Sequence, residues 1–156
     1  MELIYRGSRD GTTSKNFHNK CDNKRPIIIL FKNEKGNIFG GYCPISWKSE
    51  GEWQTAPEAF IFTLTNIYNI EPTKFNRAND QYGIYFNSSY GPWFGSGSNI
   101  GFYSDYSKSN NCYLYFGEYV SYQDKLGKGK SIFTGDVNNN NRNYKINEIE
   151  SFKLYK

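Results

Sequence analysis

A chain of 156 residues is the size of one domain, long enough to bury ~70% of its extended surface without metal or disulfide staples. Aromatics make up 19% of it (14 Tyr, 12 Phe and 3 Trp), a balance that suits pleated strands and excludes both a helical bundle and a disordered chain. The net charge of +4 is spread along the chain, densest at Lys125, Lys128 and Lys130, and lacks the basic stripe of a dedicated nucleic-acid binder.

Taken in order, residues 2–6 are short and apolar enough for a strand, and Arg9-Asp10-Gly11 is a turn, with Gly11 able to take positive φ. Ser14 is the expected cap of a helix over 15–21, ended by Asp22-Asn23 and Pro26. The unbroken apolar run 27–32 predicts a strand buried on both faces, and 34–37 a hairpin turn into a strand over 38–43. Further strands are expected at 59–65, 81–86, 100–104, 113–119, 132–133 and 144–154, with 138–141 as a hairpin tip. Gly40-Gly41 inside a strand pattern implies a bulge or a close backbone approach, and Gly91-Pro92 with Gly95 a rigid corner. Short strands separated by Gly, Ser and Asn clusters predict a mostly β fold: a two-sheet antiparallel sandwich flanked by short α-helices, in one domain over 1–156.

Three cysteines, Cys21, Cys43 and Cys112, are too few and odd in number for a secreted disulfide framework. The amino terminus reads as a strand and not as a charged-plus-apolar leader, and the longest aliphatic run, 27–31, is too short to span a bilayer. The expectation is a cytoplasmic protein with free thiols and no membrane insertion.

Candidate chemistry is sparse. His18 is the lone histidine, which excludes His-rich zinc sites and leaves it as the only base for a triad. His18 and Cys21, three apart on the predicted helix, could pair as imidazolium and thiolate; packing of Cys21 in the core is the competing explanation. Residues 124–131 end like a phosphate-binding loop, but Asp124 stands where its first glycine belongs and a strand is expected to follow. Asn87-Ser88-Ser89 fits a glycosylation acceptor. Glu148 and Glu150, two apart on a strand, would set their carboxylates ~7 Å apart on one face, as in inverting glycosidases, or simply form a solvated face. Trp47, Trp53 and Trp93 are candidate sugar platforms, with core or turn anchoring as the alternative.

A set of motifs resembles the TLDc domain: Tyr5-Arg6-Gly7-Ser8-Arg9-Asp10-Gly11, Phe17-His18, Cys21-Asp22-Asn23, Phe39-Gly40-Gly41-Tyr42 and Ser46-Trp47 in the first third. Ala59-Phe60-Ile61-Phe62-Thr63-Leu64, Gly83-Ile84-Tyr85, Tyr90-Gly91-Pro92-Trp93-Phe94-Gly95 and Glu148-Ile149-Glu150-Ser151-Phe152 continue it in family order. The resemblance implies a β-sandwich often found at the C-terminal end of a longer protein, a part in oxidative-stress resistance, and binding to vacuolar-type proton pump subunits, whose assembly it regulates. It brings no established catalytic centre, although its acidic residues carry over to Asp10, Glu148 and Glu150. Thr12 stands where an apolar residue is common, and Asn99-Ile100 replaces an Asp-aliphatic pair, which removes one carboxylate.

Together these lead to a non-catalytic, monomeric interaction module without cofactor or metal, binding pump subunits and no nucleic acid, and drawn to acidic organelle membranes through its partner. The alternatives are a redox or hydrolytic enzyme using Cys21 and His18 or Glu148 and Glu150, and a carbohydrate-binding sandwich.

Overall fold

The computed structural model describes residues 1–78, 82–96, 100–116, 121–137 and 143–155. Its first sheet contains β1 (Glu2–Arg6), β2 (Ile27–Asn33), β3 (Ile38–Cys43), β5 (Phe60–Thr65), β6 (Thr73–Asn76) and β11 (Ile146–Lys153). The second contains β4 (Glu52–Gln54), β7 (Ile84–Phe86), β8 (Tyr90–Phe94), β9 (Ile100–Tyr103) and β10 (Cys112–Leu114). Strand order is β1-β11-β2-β3-β5-β6 in the six-stranded sheet and β10-β9-β8-β7-β4 in the five-stranded one, and the pairings are antiparallel. Among the described residues three short α-helices, α1 (Gly7–Asp10), α2 (Ser14–Cys21) and α3 (Ser131–Thr134), flank the sheets. This is the expected sandwich.

The core forms because alternate residues of both sheets point inward and are apolar. Ile27, Ile29 and Phe31 of β2 are buried, as are Phe39 of β3, Phe75 of β6, and Phe86 and Phe94 of the opposite sheet. Trp47 sits among them fully buried, with ring centroids 5.3 Å from Phe17 on α2, 5.1 Å from Phe86 and 6.0 Å from Phe94. At Gly41 the sheets approach closely: a Cβ there would lie 2.4 Å from Cζ of Phe94. The register irregularity between β3 and β5 falls at Ile38/Phe39, so the paired glycines serve close approach and not a bulge.

Several elements depart from expectation. Thr13, not Ser14, caps α2, because its side chain accepts from the Asn16 N–H while Asn16 reaches back to the Thr13 N–H. Arg9 and Asp10 end a helical turn, closed by Gly11 at φ 110°. Residues 132–133 are helical: the Phe133 and Thr134 N–H groups bond the Lys130 carbonyl, and Gly135 in the left-handed region ends the turn. The sequence 90–94 is a strand, not a corner, and the register shift between Tyr90 and Trp93 accommodates Pro92. The strands 52–54 and 73–76 were not expected at all; each is short and lies at a sheet edge. The run 113–119 is strand only to Leu114, while 117–119, Gln81, Asn99 and the expected hairpin tip at 138–141 lie outside the described residues.

β2 is also not buried on both faces. Ile28 and Leu30 are half-buried and Lys32 is exposed, so the second apolar face of this strand meets solvent.

Candidate functional site: an exposed apolar sheet face

The histidine cluster is built by α2, whose i, i+4 spacing brings Asp22 beneath His18. His18 Nδ1 lies 2.7 Å from Asp22 Oδ1 and 3.1 Å from the Ser49 hydroxyl, which also donates to the other Asp22 oxygen. Nε2 faces the Asn87 and Tyr90 carbonyls at 2.9 and 2.8 Å, so it carries a proton and donates. A serine–histidine–aspartate relay needs the serine and the carboxylate on opposite ring nitrogens. Here both sit at Nδ1, and the trio clamps α2 to the loop before β4 and to the β7–β8 turn. Cys21 is not part of it. Burial pushes its thiol up to about 12, as it does for Cys43 and Cys112, so none offers a ready thiolate. All three cysteines are free and buried.

The three acidic candidates surround α1. Glu148 Oε1 accepts from the Ser8 N–H at 3.0 Å, from its neighbour Ile149 N–H at 3.1 Å and from the Tyr106 hydroxyl at 3.4 Å. Asp10 accepts the Arg6 N–H at 2.9 Å and two bonds from Arg9; that guanidinium, opposed by burial, draws the carboxyl down to about 2. Glu150 pairs with Arg6 at 3.1 Å. Glu148 thus turns to α1 and Glu150 to Arg6, each with its own partners, where a glycosidase pair would converge on open space. Among the described residues no group of three or more His, Cys, Asp or Glu could hold a metal ion.

The lysine-rich loop is closed by its own carboxylate. Asp124 accepts from the N–H groups of Leu126, Gly127 and Gly129 at 3.2, 2.9 and 2.7 Å, filling the seat a phosphate would take. Of the tryptophans, Trp47 and Trp93 are buried, whereas Trp53 is 38% exposed and stacks on Tyr85 with centroids 4.4 Å apart. Asn87 of the acceptor pattern spends its side-chain amide on the Tyr85 hydroxyl and accepts the Ser89 N–H.

What remains is a surface. Across the outer face of the six-stranded sheet, Phe152, Ile28, Tyr42 and Phe60 stand side by side on β11, β2, β3 and β5. The next row starts at Glu150 on β11 and carries Leu30, Gly40 and Phe62, ending at Lys74 on β6. Tyr42 and Phe60 are stacked, 5.0 Å apart and 23° from parallel, and the Lys74 ammonium lies 4.9 Å from the Phe60 centroid. The first row is half-buried, so it keeps partial solvent contact. At its end opens a cleft of about 650 Å³ walled by Arg25, Tyr42, Pro57, Glu58 and Lys153, among others. An antiparallel sheet normally turns a polar outer face to water; a contiguous apolar one marks a contact surface.

The sequence profile of the TLDc domain matches residues 1–155. This chain belongs to the TLDc family. Among curated proteins, the MTOR-associated protein MEAK7 of Danio rerio is 34% identical to it over 44 residues, 28% of this chain. The match spans a tenth of that relative's length. No helix among the described residues of this TLDc domain is long and apolar enough to cross a membrane.

The apolar face had a signal in the sequence. The run 27–31 is apolar at every position and the stretch 59–64 at all but Thr63, so both faces of β2 and β5 had to be largely apolar. Burial on both sides was the expectation for β2; the fold covers only one.

Proposed function

We propose that this TLDc domain is a non-catalytic interaction module that binds the vacuolar-type proton pump and regulates the association of its soluble and membrane sectors, and so supports resistance to oxidative stress. The reading is carried by the apolar outer face of the six-stranded sheet, a broad patch of the kind that recognises a protein surface. The residues suspected of chemistry favour it too, since His18, Asp10, Glu148 and Asp124 spend their polar atoms holding the fold. A relative described as mTOR-associated is consistent with a domain that works through protein partners. In this reading the protein is cytoplasmic and monomeric, uses no cofactor, and reaches acidic organelle membranes through its partner.

Co-sedimentation with pump-bearing membranes at physiological salt, against a heat-unfolded control, tests this. Binding, with a changed ratio of soluble to membrane sectors after incubation, is expected. No binding overturns it, and turnover of a peroxide or a glycoside alongside decides in favour of an enzyme. The exposed Trp53–Tyr85 stack supports a second reading, a carbohydrate-binding sandwich. Unretarded migration through gels containing soluble glucans removes that one.

A further inference from the structure

We propose that the apolar face of the six-stranded sheet receives an amphipathic helix with acidic flanks. The inference rests on the interaction-module reading and names the chemistry of the partner segment.

Shape comes first. The row from Phe152 to Phe60 crosses four neighbouring strands. At ~4.8 Å per strand spacing it is about 14 Å wide. An α-helix with its side chains is ~10–12 Å across, so one helix covers most of the row. Phe62 leans over Gly40, whose added Cβ would lie 3.0 Å from its Cζ, and is only 7% exposed; Tyr42 and Phe60 lie stacked beside it. The floor is therefore shallow and level, suited to residues inserted from above at i, i+3, i+4 and i+7. None of these floor side chains is among the exposed large hydrophobic residues, which leaves no wedge to enter lipid.

Charge decides the sign of the flanks. Lys32 and Lys74 are exposed on this face, and Arg25 and Lys153 line the cleft at its end. Among the described residues none of the four forms an ion pair with a carboxylate. The acids nearby are each engaged or set in the cleft: Glu58 lines the cleft, Glu150 is held by Arg6, Glu148, opposite Lys32 in register, accepts from the Ser8 N–H and the Tyr106 hydroxyl, and Glu2, opposite Lys153, accepts from the Tyr155 hydroxyl. An apolar floor bordered by unneutralised cations favours Asp and Glu beside the partner's apolar stripe, and disfavours a basic one. It also disfavours a second copy of this chain, because pairing two such faces would set borders of the same sign against each other.

The test uses the whole domain and a fluorescein-labelled synthetic helix of about four turns, with Leu at i, i+3, i+4 and i+7 and Glu on both flanks. A second peptide carries Lys in place of each Glu. Anisotropy titrations are expected to show the Glu peptide binding about tenfold or more tightly than the Lys peptide, with affinity falling as salt rises. Tyr42→Glu should abolish binding. The exposed pair Lys32→Glu with Lys74→Glu, which leaves the floor intact, should reverse the preference and so serves even if Tyr42→Glu misfolds. Equal binding of both peptides, or of neither, overturns the inference. So does binding to phosphatidylserine-containing vesicles without peptide binding, or self-association of the domain in sedimentation velocity. If the peptides fail while co-sedimentation with pump membranes persists, the helix is wrong and the module reading stands. If co-sedimentation fails as well, both fall.

Discussion

Glu148 and Glu150 look equivalent in the sequence, two residues apart on one strand, yet their replacement should have very different consequences. Glu148→Ala removes the acceptor of the Ser8 N–H, the Ile149 N–H and the Tyr106 hydroxyl. A hydrogen bond to a charged group contributes ~1.5–3 kcal/mol where water cannot replace it. Water can reach the exposed Ser8 N–H, and the Tyr106 contact is long at 3.4 Å, so the three together come to about 2 kcal/mol and not to a simple sum. In a domain of this size, ~1 kcal/mol moves Tm by about 2–4 °C, giving an expected fall of about 4–8 °C. Glu150→Ala loses only a solvent-exposed ion pair with Arg6, a change of ~0–1 kcal/mol. Glu148→Gln, which keeps one acceptor oxygen without the charge, should fall between them. Thermal unfolding followed by circular dichroism measures all three. Equal Tm values for Glu148→Ala and Glu150→Ala would refute the view that Glu148 anchors α1, and would return it to the list of residues free to act on a ligand.

The carboxyl of Asp10, held near 2 by Arg9, adds stability that is complete above its unfolded pKa of ~3.9 and is lost as pH falls through its folded value. The stability difference between the wild type and Asp10→Asn should therefore hold at neutral pH and shrink between about pH 4 and pH 2, as urea titrations at each pH would register. With every thiol pushed to about 12 by burial, the native protein should resist Ellman's reagent at pH 8 and yield three thiols in guanidinium; rapid native reaction at Cys21 would revive the redox reading. Gly41→Ala drives a methyl into the buried Phe94 ring and should cost ~1–3 kcal/mol, visible as a lower urea midpoint.

The fold was legible where pattern is strong. The unbroken apolar run and turn chemistry in 27–43 predict the β2–β3 hairpin to within a residue, and the largely apolar stretch 59–65 gives β5. Elements that long-range contacts define were not legible. Glu52-Trp53-Gln54 has no strand pattern and becomes β4 by pairing with β7. Ile132-Phe133 has strand composition, but local bonds to the Lys130 carbonyl and a left-handed Gly135 make it helical. The candidate site divides in the same way. Residue types singled out His18, Cys21 and the acids, yet type alone cannot say which nitrogen meets which oxygen, and that geometry turns a possible relay into a clamp. The apolar face was present in the sequence as two doubly apolar strands; whether their second side is covered is decided by the rest of the chain.

The placement of β11 shapes how the chain comes to be folded. It lies between β1 and β2, pairing Glu2–Arg6 on one side and Ile27–Asn33 on the other. A growing chain has therefore made the strands that flank it long before residues 146–153 exist to join them. Until then β1 has no neighbour, and β2 presents an unsatisfied row of N–H and C=O groups beside an apolar face, the combination most prone to pairing with another chain. Closure must wait for a contact spanning almost the whole sequence, which is slow on loop entropy alone. Any shortened product that stops before residue 146 would leave that slot open permanently, making it a substrate for chaperones and proteases and not a smaller working domain.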